Sequence, residues 1–145
     1  MFALPFAYVG AFLAVDGVPG ASELVWLTVA MVGARSLAMA LNRLIDADLD
    51  ARNPRTSSRE LPQRQLSRAS VVAFCLVSLG VFLAAVSQLA PLVRWLWPIP
   101  VILFVAYPYL KRFTWLCHAW LGAAIGLAPV AAWVALTNEL PLEAW

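Results

Sequence analysis

Charge is what this chain has least of. Only 12% of its 145 residues are charged, against 63% hydrophobic, and the mean hydropathy is +0.81. A soluble globular domain is nearer a quarter charged and half apolar, so the scarcity excludes that class and identifies an integral membrane protein. The formal net charge of +2 says little as a total, and no nucleic-acid partner is expected from it. Cysteine is almost absent. Cys75 and Cys117 both fall in apolar runs without C-x-x-C or zinc spacing, which leaves them as small buried hydrophobes. The single histidine, His118, lies just past Trp115, and a structural role at headgroup level is preferred over proton shuttling. No basic stretch precedes the first apolar run and no small-residue cleavage pattern closes it, so no secretory signal is expected.

What is present is a series of five apolar segments, to be measured against the ~20 residues that span a bilayer. They run from Phe2 to Val15, Leu24 to Ile45, Ala69 to Leu89, Leu92 to Tyr107 and Trp115 to Leu136. The first is too short to span and reads as a helix missing its front. A turn at Asp16-Gly17-Val18-Pro19-Gly20 follows it. Arg52-Asn53-Pro54 interrupts the second, because the residue before a proline is pushed away from helical angles. Ser67 is a natural N-cap for the third. Pro98 and Pro100 should bend the fourth. Gly122 and Gly126 give the fifth a small-x-x-x-small face for close packing.

Basic residues set the expected topology. Arg43, Arg52, Arg55, Arg59, Arg64 and Arg68 flank or fill the loop after the second segment, and Lys111 and Arg112 lie in the loop after the fourth. The alternate loops carry Asp16 and Glu23, then Arg94, then Glu139 and Glu143. By the positive-inside rule both basic loops face the cytoplasm, where together they can build one site. Arg35 stands apart inside the second segment, roughly two turns before Asn42. Snorkelling, pairing with a carboxylate and a part in the site all stay open for it.

The richest stretch is Asn42-Arg43-Leu44-Ile45-Asp46-Ala47-Asp48-Leu49-Asp50, at the end of the second segment. On a helix, Asn42, Asp46 and Asp50 fall on one face, each a little over a turn beyond the last. Carboxylates at the water-facing end of a membrane segment are costly, so function is the default reading. Three oxygen-bearing side chains suit a hard cation such as Mg2+, and Mg2+ suits a diphosphate. Arg52, Arg55 and Arg59 follow directly, and guanidinium groups match phosphate oxygens in pairs. Lys111 adds a basic point on the same side. The plainer alternative is a solvated helix end, with pairs such as Asp48 and Arg52 at i,i+4 and arginines that only mark topology or attract anionic lipid. Asp48 points away from the other three and is assigned to that plainer role. The seven tryptophans cluster near the expected interfaces, as aromatic belts do.

Taken in order, these motifs resemble a known family. The N-x-x-x-D-x-x-x-D run followed by Arg55-Thr56-Ser57-Ser58-Arg59-Glu60-Leu61-Pro62 is similar to the first aspartate-rich motif of the UbiA family of intramembrane prenyltransferases. Tyr107-Pro108-Tyr109-Leu110-Lys111-Arg112 resembles its Y-x-x-x-K stretch, Phe2 to Ala7 the start of its first helix, and Leu121 to Pro129 its fifth. The 4-hydroxybenzoate polyprenyltransferase branch is the nearest likeness. The resemblance implies an all-α, multi-pass transmembrane bundle, with about five helices here of a roughly nine-helix fold. It implies Mg2+ held by Asn42, Asp46 and Asp50, and a polyprenyl diphosphate gripped by Arg59, Lys111 and Tyr107, with Arg52 and Arg55 as looser assignments. Catalysis would then fall to Asp46, Asp50 and Lys111. The acceptor would be an aromatic such as 4-hydroxybenzoate, in ubiquinone or menaquinone biosynthesis, and the location the cell inner membrane.

The departures from the family are equally specific. Its second aspartate-rich motif has no counterpart in this sequence, nor do the basic residues that precede its first helix. Residues 1–145 are therefore expected to be the N-terminal part of one UbiA-like domain, truncated at both ends, and near inactive without the C-terminal half that carries the second motif. Two other classes are weighed. A CDP-alcohol phosphatidyltransferase also uses D-x-x-x-D, but needs D-G-x-x-A-R upstream, where this chain has Ala34-Arg35-Ser36 without Asp-Gly. A cation transporter half would place its acids near the bilayer midplane rather than at a helix end beside arginines.

Overall fold

The computed structural model describes residues 3–63 and 65–140, so Phe2, Arg64, Glu143 and Trp145 lie outside the described residues. Among the described residues six helices follow one another: α1 Ala3–Ala14, α2 Ala21–Arg52, α3 Arg68–Val86, α4 Val93–Leu96, α5 Pro98–Phe113 and α6 Cys117–Thr137. No strand occurs among the described residues. Four spans are long and apolar enough to cross a membrane, counting Val93–Phe113 as one, and α1 is a shorter apolar helix. The chain is an all-α, multi-pass membrane bundle with the five segments expected.

The boundaries carry the information about function. α2 has 32 residues, about 48 Å of helix against a hydrocarbon core of about 30 Å. It begins where the Glu23 carboxylate accepts from the Gly20 N–H at 2.8 Å. It does not stop at Ile45, as hydropathy suggested, but runs on through the acidic stretch to Arg52, so that Asn42, Asp46 and Asp50 stand on regular helix. It ends at Asn53, which takes an extended conformation (φ −99°, ψ 119°) ahead of Pro54. Ser67 caps α3 as expected, its Oγ accepting from the Ser70 N–H at 3.0 Å. α3 itself closes at Val86, and residues 87–89 continue only as a turn.

Proline shapes the next span. The chain breaks between α4 and α5 at Trp97, and Pro98 opens α5, where its missing N–H loses nothing. α5 then passes through Pro108 and ends at Phe113, six residues beyond the expected Tyr107. This corrects the placement of Lys111 and Arg112: they occupy the last turn of a helix, not a loop. Cations at that end also meet the negative pole of the helix dipole.

Small residues let the helices approach. α2 lies against α3, α1 against α6, and α5 against α2. A Cβ added at Gly10 would stand 2.3 Å from the Pro129 carbonyl oxygen, and one at Gly33 would stand 2.9 Å from the Phe82 backbone nitrogen. The Gly122 and Gly126 face does not serve this purpose among the described residues, since a Cβ at either meets nothing within 4 Å. Alanines fill the contacts instead: Ala7, Ala11, Ala128 and Ala132 between α1 and α6, and Ala30, Ala34 and Ala85 around Phe82. In lipid such close packing replaces the hydrophobic drive available in water. At the end opposite the acidic stretch, Asn138 adopts a left-handed conformation (φ 60°) and its Oδ1 accepts from the Leu92 N–H at 2.8 Å.

Gly10→Ala should force α1 off Pro129 and lower stability by about 1–3 kcal/mol. Gly80→Ala, inside α3 with open space around its Cβ, should not lower the unfolding temperature in detergent, since alanine is the better helix former. Equal melting of the two variants would show that α1 is not seated on α6 in this way.

Candidate diphosphate and metal site

At the far end of α2, the Asp46 side chain is 3% exposed. A carboxylate taken out of water costs several kcal/mol unless it is paired and hydrogen-bonded, and here both oxygens are engaged by the last turn of α5. Lys111 Nζ donates to Asp46 Oδ2 and also to Asn42 Oδ1, the latter at 3.1 Å. Arg112 Nη2 donates to Asp46 Oδ1 at 3.3 Å and to the Ile45 carbonyl at 2.9 Å. Each cation also faces an aromatic ring. Lys111 Nζ is 5.9 Å from the centre of Tyr107, and the Arg112 guanidinium is 5.1 Å from that of Tyr109, both within cation–π range.

The segment after α2 folds back along its helix. Arg59 Nη1 donates to Asp50 Oδ2 at 2.7 Å, and Arg43 Nη1 to Glu60 Oε2 at 2.8 Å. Thr56, itself buried, donates its hydroxyl at 3.1 Å to the Asp50 carbonyl, which also accepts from the capping Asn53 N–H at 3.3 Å. Asn53 organises the turn: its Oδ1 accepts from the Arg55 N–H at 3.0 Å, and its carbonyl from the Thr56 and Ser57 N–H groups.

Asn42, Asp46, Asp50, Arg59, Tyr107 and Lys111 are therefore gathered at one end of the bundle. Arg52 and Arg55 are exposed there and make no ion pair among the described residues. Asp48 does point away from the others, but it pairs with Arg68 at the start of α3, not with Arg52 one turn on. The returning chain brings a better-placed cation than the helix itself offers. Arg35 and His118 are exposed and take no part in the contacts described. Sequence reasoning left Arg112 and Thr56 out of the site. The pairing of Arg112 with Lys111 was the available signal, while nothing local in the sequence marks Thr56.

The oxygen donors fit a hard divalent cation. No three carboxylate, imidazole or thiolate side chains converge among the described residues, so the set is one amide and two carboxylates on a single helix face. Asn42 Oδ1 and Asp46 Oδ2 already meet at one positive charge, the Lys111 ammonium. Oxygen ligands of this kind suit Mg2+, which usually takes a few carboxylates together with substrate phosphates.

The class so defined is a membrane helical bundle that presents carboxylates ringed by guanidinium and ammonium groups at one end. Comparison with known proteins gives that class a family. The UbiA prenyltransferase family matches residues 3–145, and the chain belongs to it. It is 33% identical over 134 residues to a 4-hydroxybenzoate octaprenyltransferase of Aliivibrio fischeri (strain MJ11), an alignment covering 92% of this chain and 47% of that protein. The 4-hydroxybenzoate octaprenyltransferase of Vibrio atlanticus (strain LGP32) is 35% identical over 133 residues, with the same coverage. The apo structure of a UbiA homolog from Aeropyrum pernix K1 superposes with a TM-score of 0.88 at 31% identity, over 97% of this chain and 51% of that one. The chain spans about half the length of the curated relatives it matches.

Asp46→Ala should leave two part-exposed cations facing each other across the place of the buried carboxylate and cost about 2 kcal/mol. Asp48→Ala breaks a pair whose side chains are both mostly exposed, and should stay within about 1 kcal/mol of the parent. Thermal unfolding of the two variants side by side measures the contrast.

Proposed function

We propose that the protein transfers a polyprenyl group from a polyprenyl diphosphate to an aromatic acceptor of the 4-hydroxybenzoate type, in quinone biosynthesis, with Mg2+ as cofactor. The observation that carries this reading is the convergence of Asn42 and Asp46 on a cation beside Arg59, Arg112 and Tyr107, at one end of a membrane bundle. The names of the relatives support the acceptor class, and family membership supports the prenyl donor.

In this reading Asn42, Asp46 and Asp50 would hold Mg2+, which would supply positive charge against the diphosphate. Arg52, Arg55, Arg59 and Lys111 bind the remaining phosphate oxygens, Arg52 and Arg55 being already free of acid partners among the described residues. Tyr107 lies along the Lys111 ammonium and keeps it at the phosphate side. Charge neutralisation weakens the allylic C–O bond, and its electron pair leaves with the diphosphate. The ring carbon ortho to the phenol then bonds to the allylic carbon, and its proton is lost as aromaticity returns. Apolar helix faces hold the prenyl tail, which the bilayer supplies.

The basic end of the bundle is proposed to face the cytoplasm, by the positive-inside rule, in a cell inner membrane. Residues 1–145 are proposed to be the N-terminal part of a single prenyltransferase domain. The second aspartate-rich set of the family is not among these residues, so the activity is proposed for the whole protein and not for these helices alone.

In the intact protein, Asp46→Ala and Asp50→Ala should each lower Mg2+-dependent prenyl transfer about a hundredfold or more, while Asp48→Ala stays near the parent rate. Chelation should abolish transfer and added Mg2+ restore it. Undiminished turnover in Asp46→Ala would sink the assignment.

A further inference from the structure

We infer that Lys111 is a tethered cation which occupies the oxygen ligands of the metal until the metal binds, and that it then passes to the diphosphate, so that the two ligands bind with mutual reinforcement; this rests on the function proposed above. Lys111 Nζ donates to both Asn42 Oδ1 and Asp46 Oδ2. Those are the α2 oxygens that the metal requires, and an ammonium and a divalent ion repel each other too strongly to share them. Asp50 repeats the arrangement, its Oδ2 accepting from Arg59 at 2.7 Å.

The two bases at Asp46 differ in how freely they can leave. Arg112 is fixed by a second bond to the Ile45 carbonyl and by the Tyr109 ring. Its planar fork suits a permanent anchor. Lys111 carries a compact charge on a flexible four-carbon stem, and both its oxygen partners are the side chains proposed as metal ligands, with no bond to the backbone among the described residues to hold it. Lys111 therefore moves while Arg112 keeps Asp46 in place. With metal alone, Lys111 gives up two oxygen partners and gains only water. When a diphosphate is present as well, its phosphate oxygens replace what Lys111 lost. Each ligand then strengthens the other by the same factor, as linkage requires.

Two measurements on the intact protein in lipid nanodiscs test this. The first is binding of Mn2+ alone, followed by electron paramagnetic resonance. Lys111→Met should bind Mn2+ about tenfold more tightly than the parent, although it has lost a residue that serves the diphosphate. Unchanged or weaker binding overturns the inference. The second needs no variant at Lys111, the sole lysine of this sequence. Its acylation by an amine reagent, read on the peptide that contains it, should speed up severalfold with Mg2+ alone and fall back when inorganic pyrophosphate is added. A rate indifferent to Mg2+, in protein that binds Mn2+ through Asp46, also overturns it. Asp46→Asn separates the two levels of the argument. Loss of Mn2+ binding in that variant upholds the metal reading whatever Lys111 does, and unchanged binding overturns the metal reading and the exchange together.

Discussion

The Asp46 carboxylate is nearly out of water, and its two charged partners come from one place, the last turn of α5. The cost of desolvating it ties α2 to α5 at this end, because separating them would strand a buried anion. The other contacts of the site depend on that tie. With Oδ1 committed to Arg112, Oδ2 turns to the side where Asn42 Oδ1 lies, and the two acceptors meet at Lys111. Asp50, a little over a turn further on, is left for the returning loop, where Arg59 takes it.

This arrangement needs helices that run past the membrane boundary. Had α2 ended where hydropathy falls away, at Ile45, Asp46 and Asp50 would lie on a loop without a fixed relative orientation. Helical continuation to Arg52 holds the three oxygens on one face, and Pro54 then stops the helix and turns the chain back so that Arg59 reaches Asp50. On the other side, α5 persists through Pro108 to Phe113 and so brings Lys111 and Arg112 to the level of Asp46. Helix termination, more than composition, places the chemistry.

Much of this was legible in the sequence, for identifiable reasons. Apolar runs near the length of a bilayer gave the spans, Ser67 marked a real helix start and Pro54 a real end, whereas Pro98, expected to bend the fourth segment, instead opens α5 after the break at Trp97. The i,i+4 spacing put Asn42, Asp46 and Asp50 on one face without reference to any tertiary contact. What was not legible depended on distant parts of the chain. Asp46 and Lys111 are separated by 65 residues, and Asp48 met Arg68, 20 residues away, instead of the neighbour its helix offered. The glycine contacts were misplaced for a related reason. A small-x-x-x-small pattern says that a helix face can be approached closely, not which helix approaches it. Gly10, four residues before Ala14, and Gly33, outside any such pattern, make the close contacts.

The balance of charge at this end also explains why so many bases coexist with so few acids. Among the described residues, Asp46, Asp48, Asp50 and Glu60 stand against Arg43, Arg52, Arg55, Arg59, Arg68, Lys111 and Arg112. Every one of these acids has a basic partner, and two of the seven cations, the exposed Arg52 and Arg55, are left over. Topology alone would be served by those bases placed anywhere in the loop. Acids placed among them, on one face of a helix and partly buried, lower the net charge and cost desolvation energy, which neither topology nor lipid attraction repays. Acids ringed by an excess of bases do suit the two-part partner proposed for this site, a metal for the carboxylates and a polyanion for the surplus cations.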